Sequence, residues 1–298
     1  MIDCHIHLQP HGEQPPMTRA RIEEYLRVAE TRGVERIAIT EHLFRFEEAY
    51  RALHGWWDAD PDPMLARLAK EYWDDHVSGS VADYVRTVEA AKSAGLPVLL
   101  GLELDWISGR EDALASFLAP YDWDIVLGSV HYIGAWGFDD PRFLDEWSRR
   151  DAARAWADYG ALVRELAATG LADVLAHPDL PKVFGHRPAD ETPLHDAIIE
   201  AATLHTTAVE LNSNGIRRCQ EIYPAMPLLR RAREAGLPIT LGSDAHRPER
   251  VGANFAELVA WAREAGYEGA SYYERRARRE YGFAAGLEAG SATREAGL

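Results

Sequence analysis

The sequence of 298 residues is strongly acidic, with 48 Asp and Glu residues against 32 Lys and Arg residues and a formal net charge of −16. A surface of this sign repels polyanions, so we expect no long nucleic acid as a partner, whereas a small phosphorylated substrate is compatible because bound cations reverse the field inside a pocket. Two cysteines without CxxC spacing argue against a disulfide framework or a thiolate zinc site. No apolar run approaches the ~20 residues that span a bilayer, and no targeting segment is evident, so we expect a cytoplasmic protein without membrane association. The sequence is silent on oligomeric state.

Short apolar, β-branched runs alternate with polar helical patterns along most of the chain. Several helical patterns close on a glycine that leads directly into the next apolar run, as at Gly33, Gly95 and Gly236. This alternation is typical of βα units and a parallel sheet. The predicted strands are 2–8, 36–42, 97–104, 124–133, 173–177, 207–212 and 238–243, and the predicted helices are 18–32, 81–94, 151–169, 193–205, 224–235 and 254–265.

Two stretches interrupt this alternation of strands and helices. Residues 44–79 are rich in Trp, Asp and Pro, and residues 134–150 are rich in aromatic side chains. Each follows a predicted strand, so we expect both to lie over the mouth of the sheet, either as lids and specificity elements or as hydrophobic clusters under a loop. The Arg-rich run 274–280 fits an exposed helix. We expect a single domain at 1–284 and a flexible C-terminal tail at 285–298.

Residues that bind metals stand at the ends of six of the apolar runs. Side chains at i and i+2 of a strand share a face, so His5 lies beside His7, and Asp244 beside His246. Parallel barrels carry their sites at the carboxyl ends of the strands, whereas an open sheet gathers its site at one switch point. Donors from six strands therefore favour a closed, seven-stranded barrel. The motifs are Asp3-Cys4-His5-Ile6-His7, Thr40-Glu41-His42, Gly101-Leu102-Glu103, Ser129-Val130-His131, Ala176-His177-Pro178 and Ser243-Asp244-Ala245-His246.

The donors at these strand ends indicate a multinuclear metal site. Imidazole and carboxylate groups suit zinc, iron or manganese, and there are too many of them for one ion. Ions about 3.5–4 Å apart make hydroxide available at neutral pH and hold both the attacking and the leaving oxygen of a phosphoryl transfer. We therefore expect two or three divalent metal ions (zinc, iron or manganese) as cofactors.

These motifs, together with Glu210-Leu211-Asn212-Ser213, resemble those of the polymerase and histidinol phosphatase (PHP) superfamily and, within it, the monofunctional histidinol-phosphate phosphatases. The match covers residues 3–246 in the family's order. It implies an α/β fold with a distorted seven-stranded (β/α)7 barrel and three metals. The family often has a histidine as the last ligand of the third metal, where this chain has Glu13; we favour Glu13 over the alternative, His11. The implied ligands are His5, His7, Glu103 and Asp244 for the first metal, Glu103, His131 and His177 for the second, and His42, His246 and Glu13 for the third.

The resemblance also implies hydrolysis of a small phosphate monoester, above all L-histidinol phosphate, by attack of a metal-bridging hydroxide. Asp244, His246 or a metal-bound water would protonate the leaving oxygen. A PHP phosphoesterase acting on nucleotides or short oligonucleotide ends is the nearest alternative, and a metal hydrolase of another bond or a non-catalytic metal-binding scaffold is less favoured. The basic residues expected to bind the phosphate are Lys182, Arg217 and Arg45.

Overall fold

A barrel of parallel strands forms the centre of the computed structural model, which describes residues 1–283. The strands are β1 (Ile2–Ile6), β2 (Arg36–Ile39), β3 (Val98–Asp105), β4 (Ile125–Ser129), β5 (Tyr132–Ile133), β6 (Trp136–Gly137), β7 (Val174–Leu175), β8 (Ala208–Asn212), β9 (Ile239–Gly242), β10 (Gly269–Glu274) and β11 (Ala277–Gly282). The barrel uses seven of them in the order β1-β2-β3-β4-β7-β8-β9. The His7 N–H donates to the Ala245 carbonyl oxygen at 2.8 Å, so the end of β1 meets the segment after β9 and nearly closes the sheet. The predicted seven-stranded α/β barrel is confirmed.

Helices fill most of the connections between these strands. They are α1 (Arg19–Thr31), α2 (Glu47–Leu53), α3 (Pro63–His76), α4 (Val81–Ser93), α5 (Glu111–Leu118), α6 (Leu144–Trp147), α7 (Ala152–Ala168), α8 (Thr192–His205), α9 (Asn214–Cys219), α10 (Met226–Glu234) and α11 (Phe255–Glu264), with 3-10 turns at Leu43–Arg45, Trp56–Ala59, Pro141–Phe143, Leu180–Phe184 and Pro248–Arg250. The six predicted helices are present, each within two residues of its expected bounds. Among residues 1–283, no helix is long and apolar enough to span a bilayer.

Residues 44–79 contain two helices, α2 and α3, that were not predicted from the sequence. Helix α3 has a readable start, because Pro63 occupies its first turn and the Asp62 side chain accepts hydrogen bonds from the Met64 and Leu65 N–H groups. The segment packs against residues 134–150, because the Ala135 N–H donates to Asp60 Oδ2 at 2.7 Å. Just before that stretch, the rings of Trp56 and Tyr132 lie 4.7 Å apart. Both rings are buried, so the two stretches form one wall of the barrel mouth. The hydrophobic-cluster interpretation fits this packing.

The β10–β11 hairpin covers the amino-terminal end of the barrel. Tyr273 packs into the barrel interior with Cys4 and Val174, and its hydroxyl donates to the Asp173 carbonyl oxygen at 3.0 Å. Arg276, in the turn of the hairpin, donates to the Asp173 carboxylate at 3.1 Å. The helix expected at 274–280 is therefore wrong, because residues 277–280 pair with β10 and Arg276 contacts the barrel, but residues 277–280 are exposed as expected. The predicted tail, 285–298, lies outside the described residues.

Candidate metal centre

All the predicted ligands except Glu13 meet at the carboxyl ends of the barrel strands. β1 supplies His5 and leads into His7, and β3 supplies Glu103 from its interior. The remaining donors follow the ends of four further strands, and most of the set is buried, with His131, Asp244 and His246 partly exposed. These four strands are β2, β4, β7 and β9, which are followed by His42, His131, His177 and the Asp244-His246 pair.

Glu103 stands between two groups of imidazoles. Its Oε2 lies 3.4 Å from the Nε2 atoms of both His5 and His7. Its Oε1 lies 3.0 Å from Nε2 of His177 and 3.5 Å from Nε2 of His131. Both groups have the spacing of ligand atoms that could hold a metal ion. This arrangement agrees with a carboxylate that bridges two metals.

Asp244 completes the first group. Its Oδ1 lies 3.5 Å from His7 Nε2 and 3.9 Å from His5 Nε2. Asp244 has a φ of 52°, in the left-handed region that few residues other than glycine adopt, and the candidate ligand His177 also has a positive φ of 27°. Such conformations cost ~1–3 kcal/mol each and persist where the surrounding structure enforces them, commonly at ligand sites.

The third group contains His42 and His246, whose Nε2 atoms lie 3.3 Å apart. The ring of His7 stacks on both, with centroid distances of 4.0 Å and 4.2 Å. The choice of Glu13 as the further ligand is contradicted, because its side chain is 55% exposed and pairs with Arg247. Gly12, at a φ of 74°, separates it from His11. His11 instead stacks on His246 at 4.4 Å and lines the cavity.

The hydrogen bonds around the cluster suit metal binding. His5 Nδ1 lies 2.7 Å from Glu210 Oε1, and His131 Nδ1 lies 2.7 Å from Asp105 Oδ1. When Nδ1–H donates to a carboxylate, Nε2 carries the lone pair, and in both residues Nε2 faces Glu103. Glu103 Oε2 is buried and accepts no well-aligned hydrogen bond among the described residues, although His42 Nδ1 lies 2.7 Å from it. A buried carboxylate is stabilised by positive charge next to it, which either a metal ion or a protonated imidazole supplies.

The donors fall into two classes, those that carry no proton and those that carry one that a metal must displace. Burial, reinforced by His7, lowers the pKa of His246 to about 3, so its imidazole is neutral. Burial opposes ionisation of Glu103, but His42 and His5 hold its pKa well below the usual range. Burial also opposes protonation of His131, yet its hydrogen bond to Asp105 raises the pKa to about 10. A metal must displace that proton, so binding at His131 would release it.

A cavity of about 810 Å³ opens above the cluster. Three of the five arginines that line it form ion pairs, Arg142 with Asp140, Arg218 with Asp139 and Arg247 with Glu13. The other two, Arg217 and Arg250, have no carboxylate within 4.0 Å among residues 1–283, so they are the guanidinium groups available to an anion. Arg250 was missed from the sequence, although it lies four residues after His246 at the same end of the barrel. The five lining arginines are Arg142, Arg217, Arg218, Arg247 and Arg250.

The structure corrects two of the three predicted phosphate-binding residues. Arg45 is fully buried, and its Nη2 donates to the Pro10 carbonyl oxygen at 2.9 Å. Lys182 is also buried, and its Nζ donates to Asp179 Oδ2 at 2.8 Å and to the Ile222 carbonyl oxygen at 2.7 Å. Neither side chain lines the cavity. Both follow barrel strands, as predicted, but their charges hold loops together.

Comparisons with known proteins agree with this architecture. The PHP domain model matches residues 4–214, and the PHP-associated model matches residues 228–260. A probable histidinol-phosphatase of Deinococcus radiodurans is 37% identical over 268 residues, which cover 89% of this chain and 94% of that protein. The histidinol-phosphatase of Bacillus subtilis is 25% identical, over 84% of this chain and 95% of that protein. Among solved structures, the histidinol phosphate phosphatase of Lactococcus lactis, crystallised with zinc, L-histidinol and phosphate, superposes with a TM-score of 0.68 at 17% identity, covering 93% of this chain and 98% of that one.

Proposed function

The chain belongs to the PHP domain family, and on that premise we propose that it is a metal-dependent phosphatase that hydrolyses L-histidinol phosphate to L-histidinol and phosphate. The observation that carries the proposal is the position of Glu103 between two groups of imidazoles in a cavity lined by two arginines that have no carboxylate partner within residues 1–283. The identity of 37% to a probable histidinol-phosphatase over most of both chains supports the choice of substrate.

Two metal positions would share Glu103. His5, His7 and Asp244 would hold the first, and His131 and His177 the second. His42 and His246 would hold a third, for which we now propose His11 in place of Glu13, since only His11 reaches the cluster. The donors accept zinc, iron and manganese alike. When bound, such ions lower the pKa of water and neutralise charge on phosphoryl oxygens.

The residues of the chain itself would orient the substrate. Arg217 and Arg250 line the cavity and would bind equatorial phosphate oxygens, where charge develops during transfer. Asp244 and His246 also line the cavity, but a metal held by them would occupy the lone pair that a transferable proton needs, and the remaining His246 Nδ1–H would face the Asp244 carbonyl oxygen, 3.1 Å away. We therefore assign the proton for the leaving oxygen to water in the cavity and not to either side chain.

The test is phosphate release from L-histidinol phosphate after loading the protein separately with zinc, iron and manganese. Nucleoside monophosphates and bisphosphates serve as competing substrates. Chelation and the Glu103→Gln variant should each abolish release, because both remove the bridged pair of metals. The matched control is Glu200→Gln, which changes an exposed glutamate paired only with Arg164 at the surface.

Release that survives both chelation and Glu103→Gln would contradict metal-dependent chemistry. Faster turnover of nucleotides than of L-histidinol phosphate would contradict the substrate but keep the phosphoesterase. Zero or one metal ion per chain, with no release from any ester, would favour a non-catalytic scaffold.

A further inference from the structure

Asn214 connects a proposed metal ligand to a proposed phosphate-binding arginine. Its Nδ2 donates to Asp244 Oδ2 at 2.9 Å, and its Oδ1 accepts from Arg217 Nε at 3.0 Å. The Asn214 backbone N–H donates to Asn212 Oδ1 at 2.9 Å, which anchors the residue to the end of β8. Asn214 also lines the cavity, so the connection lies along the wall that a substrate would face.

The chemistry of the two partners requires an amide at this position. An ionised carboxylate only accepts hydrogen bonds and a guanidinium only donates them. The residue between Asp244 and Arg217 must therefore donate at one end and accept at the other, which the asparagine side chain does. A hydroxyl is too short to span both groups, and an aspartate would place like charge against Asp244.

Both hydrogen bonds leave free the atoms of Asp244 and Arg217 that would face a metal and an anion. Asn214 binds Oδ2 of Asp244, while Oδ1 of Asp244 faces His5 and His7. Asn214 binds Nε of Arg217, and the two Nη groups of Arg217 have no partner among residues 1–283, so they remain available to an anion in the geometry that suits phosphate. Arg217 is exposed and has no carboxylate partner in the described part of the chain, so this bond is what restricts its rotamers.

We propose that Asn214 is a positioning residue that fixes the guanidinium of Arg217 relative to Asp244, so that one amide sets the distance between the anion-binding and metal-binding halves of the site. The proposal rests on the proposed function for the roles of Arg217 and Asp244. It adds a residue that the sequence motifs do not single out.

A double-mutant cycle tests the connection to Arg217. The affinity of the zinc-loaded protein for inorganic phosphate is measured by calorimetry for the wild type, Asn214→Ala, Arg217→Ala and the double variant. Each single change should weaken phosphate binding about 10-fold, and the double variant should bind no more weakly than Arg217→Ala, because Asn214 acts through that side chain. The surface variant Arg230→Ala, whose arginine forms an exposed ion pair with Glu264, is the control for loss of an arginine.

The release of zinc to a chromophoric chelator tests the connection to Asp244. Asn214→Ala should lose zinc about 10-fold faster than the wild type, whereas Arg217→Ala should lose it at the wild-type rate. Additive effects on phosphate affinity, or unchanged phosphate affinity and zinc release in Asn214→Ala, would overturn the proposal. Neither readout uses L-histidinol phosphate, so a wild-type protein that shows the coupling but does not hydrolyse that ester would refute the substrate and leave the role of Asn214 standing.

Discussion

Replacing Glu210 by glutamine should weaken metal binding although Glu210 touches no proposed metal position. The carboxylate is fully buried and accepts three hydrogen bonds. Oε1 accepts from His5 Nδ1 at 2.7 Å, and Oε2 accepts from the His177 N–H at 2.8 Å and from Asn212 Nδ2 at 3.1 Å. Glu210 therefore orients one ligand from each of the two metal groups that share Glu103.

A glutamine of the same shape has one acceptor oxygen, so its NH2 must face a donor on one side. If the NH2 faces His5, the imidazole must move its proton to Nε2 and loses the lone pair that a metal needs. If it faces His177, a buried backbone N–H is left unsatisfied, at a cost of ~1–3 kcal/mol. Loss of such supporting hydrogen bonds typically lowers metal affinity about 10- to 100-fold, which corresponds to ~1.4–2.8 kcal/mol. The two costs are similar in size, about 2 kcal/mol, but the first lowers metal affinity and the second lowers the stability of the metal-free protein.

The assay is competition for zinc with a chromophoric chelator at neutral pH, accompanied by thermal unfolding of the metal-free protein. Glu200→Gln is again the control, since Glu200 is 66% exposed and binds only Arg164 at 2.9 Å. If Glu210→Gln holds zinc as tightly as Glu200→Gln, the carboxylate does not orient the ligands and the reasoning fails.

Three further predictions concern charged side chains whose partners and burial the structure defines. Arg217→Ala or Arg250→Ala should raise KM for the phosphate ester about 10-fold with a smaller change in kcat, because each removes hydrogen bonds to a charged group; KM within about 2-fold of the wild type would exclude that arginine from the phosphate site. Lys182→Met should lower the free energy of unfolding in urea by ~3–5 kcal/mol, because it leaves the carboxylate of Asp179 buried without its partner; a raised KM at unchanged stability would instead restore Lys182 to the phosphate site. Burial outweighs Arg276 and raises the pKa of Asp173 from 3.8 to about 6, so the contribution of Asp173 to stability is greatest below pH 3.8 and is lost as the pH rises through 6. Urea unfolding should therefore show the wild type losing up to ~3 kcal/mol relative to Asp173→Asn between pH 4 and 7, and a pH-independent difference between the two would contradict a buried, ionised carboxylate.

The strand ends were readable from the sequence because they depend on local, periodic rules. Apolar runs closed by glycine-capped helices predict parallel strands, and the alternation of side chains puts His5 beside His7 whatever the rest of the chain does. The barrel then requires that residues after successive strands meet at one mouth. The strands and the set of converging donors are therefore properties of the sequence pattern, and metal binding by those donors stays a prediction.

Which side chains in the loops beyond each strand face the cavity depends on the path of the loop, and the sequence did not predict it. Arg45 and Lys182 follow strand ends as closely as Arg250 does, yet only Arg250 reaches the cavity, since nearby carbonyl and carboxylate groups capture the other two charges. Likewise, His11 and Glu13 differ by two positions, and the turn at Gly12 decides which one faces the cluster.

Local periodicity therefore determined the barrel and its donors, whereas tertiary structure decided which charges face substrate. A side chain in a strand has its direction set by the backbone, but a long cation in a loop takes the nearest buried acceptor. For Lys182 that acceptor includes a carbonyl oxygen 40 residues away in the sequence, a partner that no local pattern reports.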